Sequence, residues 1–289
     1  MQLFRRLDGA PGGADGCVVT IGTYDGVHLG HQALLGRLAA HAARRALPAA
    51  LVTFEPTPRE YLSPTEPPAR LTTLRERWRI LSAMALDYLV VLRFGEALRN
   101  LSAEAFAQQL AQQLRARVVV VGHDFRFGRK GEGTAALLRS AGARLGFEVD
   151  ELAPVVLEGE RISSSGIRAA LARGEFARAR RWLGRPWSMR GRVIRGECRG
   201  RVLGFPTANL ALARRRAPIA GIFAVRVHGV AAEALPGVAS LGTRPTVGGV
   251  EELLEAHLFD FDGELYGRVS HARFDEVLAE YASAQQTER

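Results

Sequence analysis

The chain has 289 residues, 47% of them hydrophobic, so two domains with a sizeable core each are the default. No uncharged apolar run approaches the roughly eighteen residues a membrane helix needs, the N-terminal MQLFRR lacks an apolar signal core, and two scattered cysteines exclude a disulfide framework or a cysteine-rich zinc site. The formal net charge of +9 invites a nucleic-acid reading, but Lys130 is the only lysine and every other base is Arg. With abundant Ala and Gly, that pattern reflects coding bias as much as function. A cytoplasmic address without a membrane partner is the simplest expectation.

In chain order, strand and helix patterns alternate. Strand 17–21 precedes helix 31–45, and strand 50–54 precedes a proline-rich loop (56–68) and helix 73–85. Strand 87–94 precedes helix 102–114, and strand 117–122 precedes a loop and helix 134–144. A further strand, 147–157, leads to RISSSGIR and a helix. Such alternation predicts an α/β domain with a parallel sheet and helices on both faces, and ligands in such sheets sit beyond the carboxyl ends of the strands. The character changes near 184–190. Gly-punctuated strand candidates follow at 189–195, 221–229, 236–242 and 252–260, with an Asp-Gly hairpin signal in DFDGELYG (260–267). The expected organisation is therefore an α/β domain over 1–184 and a small antiparallel β-barrel over 185–289, whose tail reads as a short fraying helix.

The stretch GTYDGVHLGH (22–31) falls between the first long strand and its helix. His28 and His31 share one face of the helix's first turn, where free N–H groups favour a phosphate. Gly22, Gly26 and Gly30 would let backbone and nucleotide approach closely. The alternative is that the histidines only cap the turn. In RISSSGIR, Ser163, Ser164 and Ser165 suit a helix cap, whereas Arg161 and Arg168 beside them suit a phosphate clamp. Asp124, within VVVGHDFRFGRKGEGT, lies in either a ligand loop or an ordinary excursion. Residues 161–216 carry fifteen Arg against Glu175 and Glu197, a stretch expected to face phosphates or a polynucleotide.

In the second half, GRVIRGECRGRVLGFPTANL (191–210) reads as a loop whose Gly191, Gly196, Gly200 and Gly204 amides wrap a phosphate, or as a plain Gly-rich hairpin. Thr207 and Asn209 point the same way in extended chain and offer hard oxygens suited to Mg²⁺.

The ordered set IGTYDGVHLGHQ, TFEPTPRE, RLTTLRER, VVVGHDFRFG and ISSSGIR resembles the adenylyltransferase module of bacterial bifunctional FAD synthetases, the riboflavin kinase/FMN adenylyltransferases. GFPTAN, SLGTRPTVGG (240–249) and EAHLFDFDGELYG (255–267) resemble the kinase module of the same family. The resemblance implies a Rossmann-like nucleotidyltransferase domain and a riboflavin kinase barrel, with ATP, riboflavin and FMN as substrates and Mg²⁺ as cofactor. It implies that His28, His31, Ser164 and Arg168 hold the ATP triphosphate, and that Phe54, Asp124 and Arg244 line flavin sites. Thr207 and Asn209 would bind Mg-ATP, and Glu255 would accept the proton of the riboflavin 5′-hydroxyl.

The chain departs from the family pattern in Thr23-Tyr24 (usually Asn-Phe), Thr57 (often His) and His123 (often an acid). It also ends fifteen residues after Phe274, where relatives usually continue into a longer helix, so a less enclosed kinase site is expected. The competing readings are an adenylyltransferase with an impaired barrel and a basic nucleic-acid-binding protein. The small-molecule reading needs no nucleic acid, and it leaves the oligomeric state open, a monomer being one option.

Overall fold

The computed structural model describes residues 1–8, 15–195, 206–246, 249–267 and 269–274. The chain divides into two compact units, Met1–Pro68 with Arg77–Ile162, and Ala69–Glu76 with Ser163–Arg289.

The first unit is built on β1 (Gln2–Phe4), β2 (Cys17–Ile21), β3 (Ala49–Glu55), β4 (Tyr88–Arg93), β5 (Ala116–Gly122) and β6 (Glu148–Leu152), all parallel, in the order β1-β4-β3-β2-β5-β6. Between them run α1 (Leu29–Arg45), α2 (Pro58–Leu62), α3 (Leu74–Leu81), α4 (Glu96–Asn100), α5 (Ala103–Gln112) and α6 (Ala135–Leu145). The division between the units falls inside α3.

Near-continuous apolar strands mark a sheet buried on both sides. Every residue of β2 is buried. On one face Val19, Ile21, Val52, Val90, Val119 and Val121 pack with Phe106 and Leu110 of α5 and Leu138 of α6. Val18, Leu51 and Val118 alternate with these and are also fully buried. Helix α1 packs against β2, β3 and β5 and buries Leu35, Leu38 and Ala42.

From β2 the chain steps outward through β3 to β4, then returns to place β5 on β2's other side. The topological switch point therefore lies between β2 and β5. The 22–28 turn leaves the carboxyl end of β2, and the Asp124 loop leaves that of β5.

Short elements not expected from the pattern include β1, α2, α4 and, in the second unit, a helix over Phe176–Leu183. The 147–157 strand is two: β6, and a β7 (Val156–Leu157) that pairs with β8 (Glu160–Arg161). Pro154 stands at the break, where a missing N–H cannot serve a ladder.

The second unit begins with α7 (Ser164–Ala172) and α8 (Phe176–Leu183). A closed antiparallel barrel follows, from β9 (Ser188–Ile194), β10 (Thr207–Leu212), β11 (Gly221–His228), β12 (Leu235–Thr246), β13 (Gly249–Leu258) and β14 (Val269–Phe274), ordered β10-β13-β12-β11-β14-β9. Met189, Val193, Leu210, Val225, Leu241, Leu254, Ala256 and Ala272 are buried, one from each second position along the strands.

The Asp-Gly hairpin expectation fails here. β13 pairs with β10 and β12, and β14 with β11 and β9, so residues 259–267 belong to a longer connection. The chain does turn nearby, but at Phe259–Asp260, with Asp260 at φ 53°, and not at Asp262-Gly263. Turn residues encode a reversal of direction, not which strands then meet. The terminal helix expectation lies outside the described residues.

Segment 69–76 joins this unit through specific bonds. Trp187 Nε1 donates to the Leu71 carbonyl at 3.0 Å, Arg168 Nε to that of Ala69 at 2.5 Å, and Arg70 N to that of Arg216 at 2.9 Å. Glu76 and Arg214 form a buried ion pair, Nη2 to Oε2 at 2.7 Å.

Candidate functional site

The turn after β2 is left-handed at three of four successive positions: Tyr24 (φ 52°), Gly26 (φ 84°) and Val27 (φ 43°). A β-branched residue there costs on the order of 1–3 kcal/mol and persists only when its surroundings over-determine it. They do. Tyr24 Oη and Thr20 Oγ1 are 2.6 Å apart, Val27 N donates to the Tyr24 carbonyl at 3.2 Å, and Gln32 Nε2 donates to the Val27 carbonyl at 2.9 Å. The Thr23 carbonyl accepts from Thr53 Oγ1 at 3.2 Å and from Arg77 Nη1.

This backbone delivers the two histidines together. His28 is the N-cap of α1, its Nδ1 accepting from the His31 amide at 3.3 Å. The rings stack with centroids 3.7 Å apart, and the Tyr24 ring also contacts His31, with centroids 4.7 Å apart. Burial, then the neighbouring His28, then the Arg77 cation hold His31 well below its ordinary pKa, so its imidazole is neutral. Its buried Nδ1 has no hydrogen-bond partner among the described residues. One His28 nitrogen thus caps, while the stacked pair stands at the start of a helix at the switch point.

The glycines of the motif serve the protein's own rings. A Cβ on Gly30 would meet His28 Cε1 and Nδ1 at 3.1 Å, and one on Gly22 would meet the Tyr24 ring at 3.0 Å. The tyrosine in place of phenylalanine is satisfied by Thr20. Thr57, in place of histidine, caps α2 in a capping box, with Thr57 N donating to Glu60 Oε2 at 3.0 Å.

Phe54, at the end of β3, is half-buried and meets Phe94 edge-on at 5.9 Å, and Phe94 in turn meets Tyr61 at 5.5 Å. An aromatic wall thus stands at the carboxyl ends of β3 and β4. Tyr61 and Phe94 carried no motif and were missed; only tertiary proximity groups them. Asp124 lies beyond β5, bonded to Arg161. Partial burial works upward on its carboxyl, but the hydrogen bond and charge of Arg161, with His123 3.9 Å away, hold it below its ordinary value.

Within the Ser-rich stretch, Ser163 takes the capping role, its Oγ accepting from Gly166 N at 3.1 Å. Ser164 and Ser165 occupy the first turn of α7, with Ser165 exposed. Arg168 is half-buried on the same helix.

On the barrel, register decides which side chains meet. Thr207 faces His257, and Asn209 faces Glu255, which faces Ser240 on its other side. Leu210 and Leu254 alternate with these and point inward, so Thr207, Asn209 and Glu255 share the outer face. Asn209 is buried with no partner for Oδ1 among the described residues, while Glu255 is exposed. An orphaned carbonyl-type oxygen beside a hydroxyl is a hard donor set, which fits Mg²⁺.

Gly191 sits inside β9, where a Cβ would come 2.7 Å from the Ala211 carbonyl. Its need for glycine is strand packing. Gly196, Gly200 and Gly204 lie outside the described residues. Arg244 falls in β12, with its side chain likewise outside them.

Comparison with known proteins agrees with both halves. A family model for FAD synthetase matches residues 11–166, and one for riboflavin kinase matches residues 183–286. The bifunctional riboflavin kinase/FMN adenylyltransferase of Escherichia coli K12 is 45% identical over 93% of this chain and 86% of its own. That of Haemophilus influenzae is 42% identical over 95% and 89%, and that of Pseudomonas fluorescens 43% over 97% and 90%.

Among solved structures, a Streptococcus pneumoniae chain described as a macrolide-efflux protein aligns with a TM-score of 0.80 and 28% identity, over 100% of this chain and 97% of its own. In this chain no helix among the described residues is long and apolar enough to cross a membrane. A strand-order switch point with stacked histidines, a six-stranded barrel carrying Thr207, Asn209 and Glu255 on one face, and two family matches covering both halves lead to one conclusion: the chain belongs to the bifunctional riboflavin kinase/FMN adenylyltransferase family.

Proposed function

We propose that this bifunctional enzyme runs its two reactions at separate sites, adenylyl transfer in residues 1–184 and riboflavin phosphorylation in residues 185–289. The observation that carries the first assignment is the stacked His28–His31 pair opening α1 beyond the carboxyl end of β2. There the imidazoles hold the ATP phosphates by hydrogen bonds; Ser164, Ser165 and Arg168 are assigned as phosphate ligands on the motif resemblance alone. An FMN phosphate oxygen attacks the α-phosphorus, the bond to the β-phosphate oxygen breaks, and pyrophosphate leaves. Positioning and charge stabilisation suffice for such a step. Phe54 and Asp124 contact the flavin nucleotide.

In the barrel, Glu255 accepts the proton of the riboflavin 5′-hydroxyl as that oxygen attacks the γ-phosphorus of ATP and ADP leaves. Arg244 contacts the flavin. Thr207 and Asn209 hold Mg²⁺, which when bound neutralises phosphate charge; the unpartnered Asn209 Oδ1 supports this. The Arg-rich stretch is spent partly on the protein's own carboxylates: Arg214 on Glu76 in the interior, and Arg173 and Arg178 on Glu175 at the surface. That supports small phosphorylated substrates over a polynucleotide partner.

Purified protein given riboflavin, ATP and Mg²⁺ is expected to yield FMN and then FAD, separated chromatographically. His28→Ala with His31→Ala should stop FAD and spare FMN, and Glu255→Ala should stop FMN from riboflavin while FAD still forms from supplied FMN. Equal loss of both activities in both variants refutes separate sites.

A further inference from the structure

We propose that Arg77 is a positioning residue for adenylyl transfer: its guanidinium fixes the peptide from which the strained 24–27 turn departs, and so aims the His28–His31 pair. This rests on the reading that the pair holds the ATP phosphates.

Arg77 is 1% exposed, a large cation buried beside β3. Nη1 donates to the Thr23 carbonyl and, at 3.2 Å, to Thr53 Oγ1; Nη2 donates to Glu55 Oε2 at 3.2 Å. Thr53 donates to the same Thr23 carbonyl. One peptide oxygen therefore takes two donors, from α3 and β3, immediately before the first left-handed residue. Tyr24 follows that peptide, and its ring supports His31. Rotation of the Thr23–Tyr24 peptide would shift the whole stack. A planar fork that reaches a carbonyl, a hydroxyl and a carboxylate together is a geometry lysine cannot copy.

The same cation bears on charge. The titratable and charged groups around His31 are His28 and Tyr24 on the turn and Arg77 on α3, with Asp25 buried in the turn and Glu55 tied to Arg77. The Arg77 cation disfavours a second positive charge on His31. Position and neutrality of the imidazole thus share one source.

The test uses the full-length chain, whose riboflavin kinase activity is an internal control. Arg77→Lys keeps the charge and loses the fork; Arg77→Gln loses both. FAD formation from FMN should fall about ten- to hundredfold in kcat in both variants, the scale of a lost charge-assisted hydrogen bond. Riboflavin phosphorylation should stay within about twofold, because its proposed residues lie on the barrel. By NMR, the His31 ring should titrate at higher pH in Arg77→Gln, since a repelling charge is gone, and at its original pH in Arg77→Lys.

Should Arg77→Gln alone fold poorly, because Glu55 is left without its counter-charge, Arg77→Gln with Glu55→Gln removes the pair as a unit. Unchanged FAD formation, an unmoved His31 titration in Arg77→Gln, or parallel loss of both activities in every variant overturns the proposal. If instead His28→Ala with His31→Ala still makes FAD, the site reading fails by itself, while the titration result on Arg77 stands.

Discussion

Neutralising Glu76 should weaken the second unit far more than neutralising any surface carboxylate. Glu76 accepts from Thr73 N at 2.7 Å, from Arg190 N at 2.8 Å, and from Arg214 Nη2 at 2.8 and 2.7 Å. The Arg214 side chain is 0% exposed and that of Glu76 10%. In Glu76→Gln the guanidinium stays buried without its counter-charge, which typically costs about 3–5 kcal/mol. Arg214 keeps Nη1 to the Arg70 carbonyl at 3.1 Å, and the glutamine's amide oxygen still accepts from Nη2, so the lower half of that range is expected.

At a few degrees per kcal/mol, that lowers the melting temperature by on the order of 10 °C. Urea unfolding followed by tryptophan fluorescence reads the change, because Trp187 bonds to Leu71 and its ring lies 6.0 Å from the Arg214 guanidinium. Glu104→Gln, which removes the exposed partner of Arg144, is the control and should shift the midpoint little. Glu76→Gln combined with Arg214→Met should recover much of the loss, since the pair is then removed together. A Glu76→Gln midpoint no lower than that of Glu104→Gln would refute the reasoning.

Glu175 carries a pH dependence. The Arg173 hydrogen bond, helped by that of Arg178, outweighs desolvation and holds its carboxyl at about 2 against an ordinary 4.5. A lowered folded-state pKa contributes stability above pH 4.5 that is lost as pH falls toward 2; its carboxyl carbon should titrate near 2 by NMR, and higher in Arg173→Ala. An ordinary midpoint in the parent chain contradicts the ion pair. Asn209→Ala should raise the Mg²⁺ needed for riboflavin phosphorylation about tenfold or more and leave FAD formation from FMN alone; an unchanged Mg²⁺ curve argues against Asn209 as a ligand. Gly191→Ala should cost about 1–3 kcal/mol, because its methyl meets the Ala211 carbonyl, with little change in KM for ATP. A KM effect without a stability effect restores the phosphate-loop reading. Tyr24→Phe should cost about 1 kcal/mol by stranding the Thr20 hydroxyl, measured by thermal melting.

The strand–turn–helix around GTYDGVHLGH was legible because its information is local. An apolar run of five, a glycine-rich turn and a 3.6-residue period name their own elements. Thr207 and Asn209 were legible as a pair for the same reason, since alternation in extended chain is set by the backbone. The Asp-Gly signal at 260–267 misled because it is equally local. It points to a reversal at Asp262-Gly263, where the chain turns instead at Phe259–Asp260, and it says nothing of β10, which takes the place beside β13 that the hairpin reading assigned to the following strand. Ser163 illustrates a case where both readings were open; its Oγ spends itself on Gly166 N.

What the sequence determined by itself is the class of each half, the order of its elements and the identity of its polar motifs, because periodicity and turn chemistry act over a few residues. Tertiary structure alone decided that RLTTLRE packs with the barrel unit, that Glu255 stands opposite Asn209, and that Arg77 reaches the Thr23 carbonyl across 54 positions of sequence. Those placements depend on which surfaces bury together and which charges find partners once water is excluded, and no short window of sequence contains both members of such a pair.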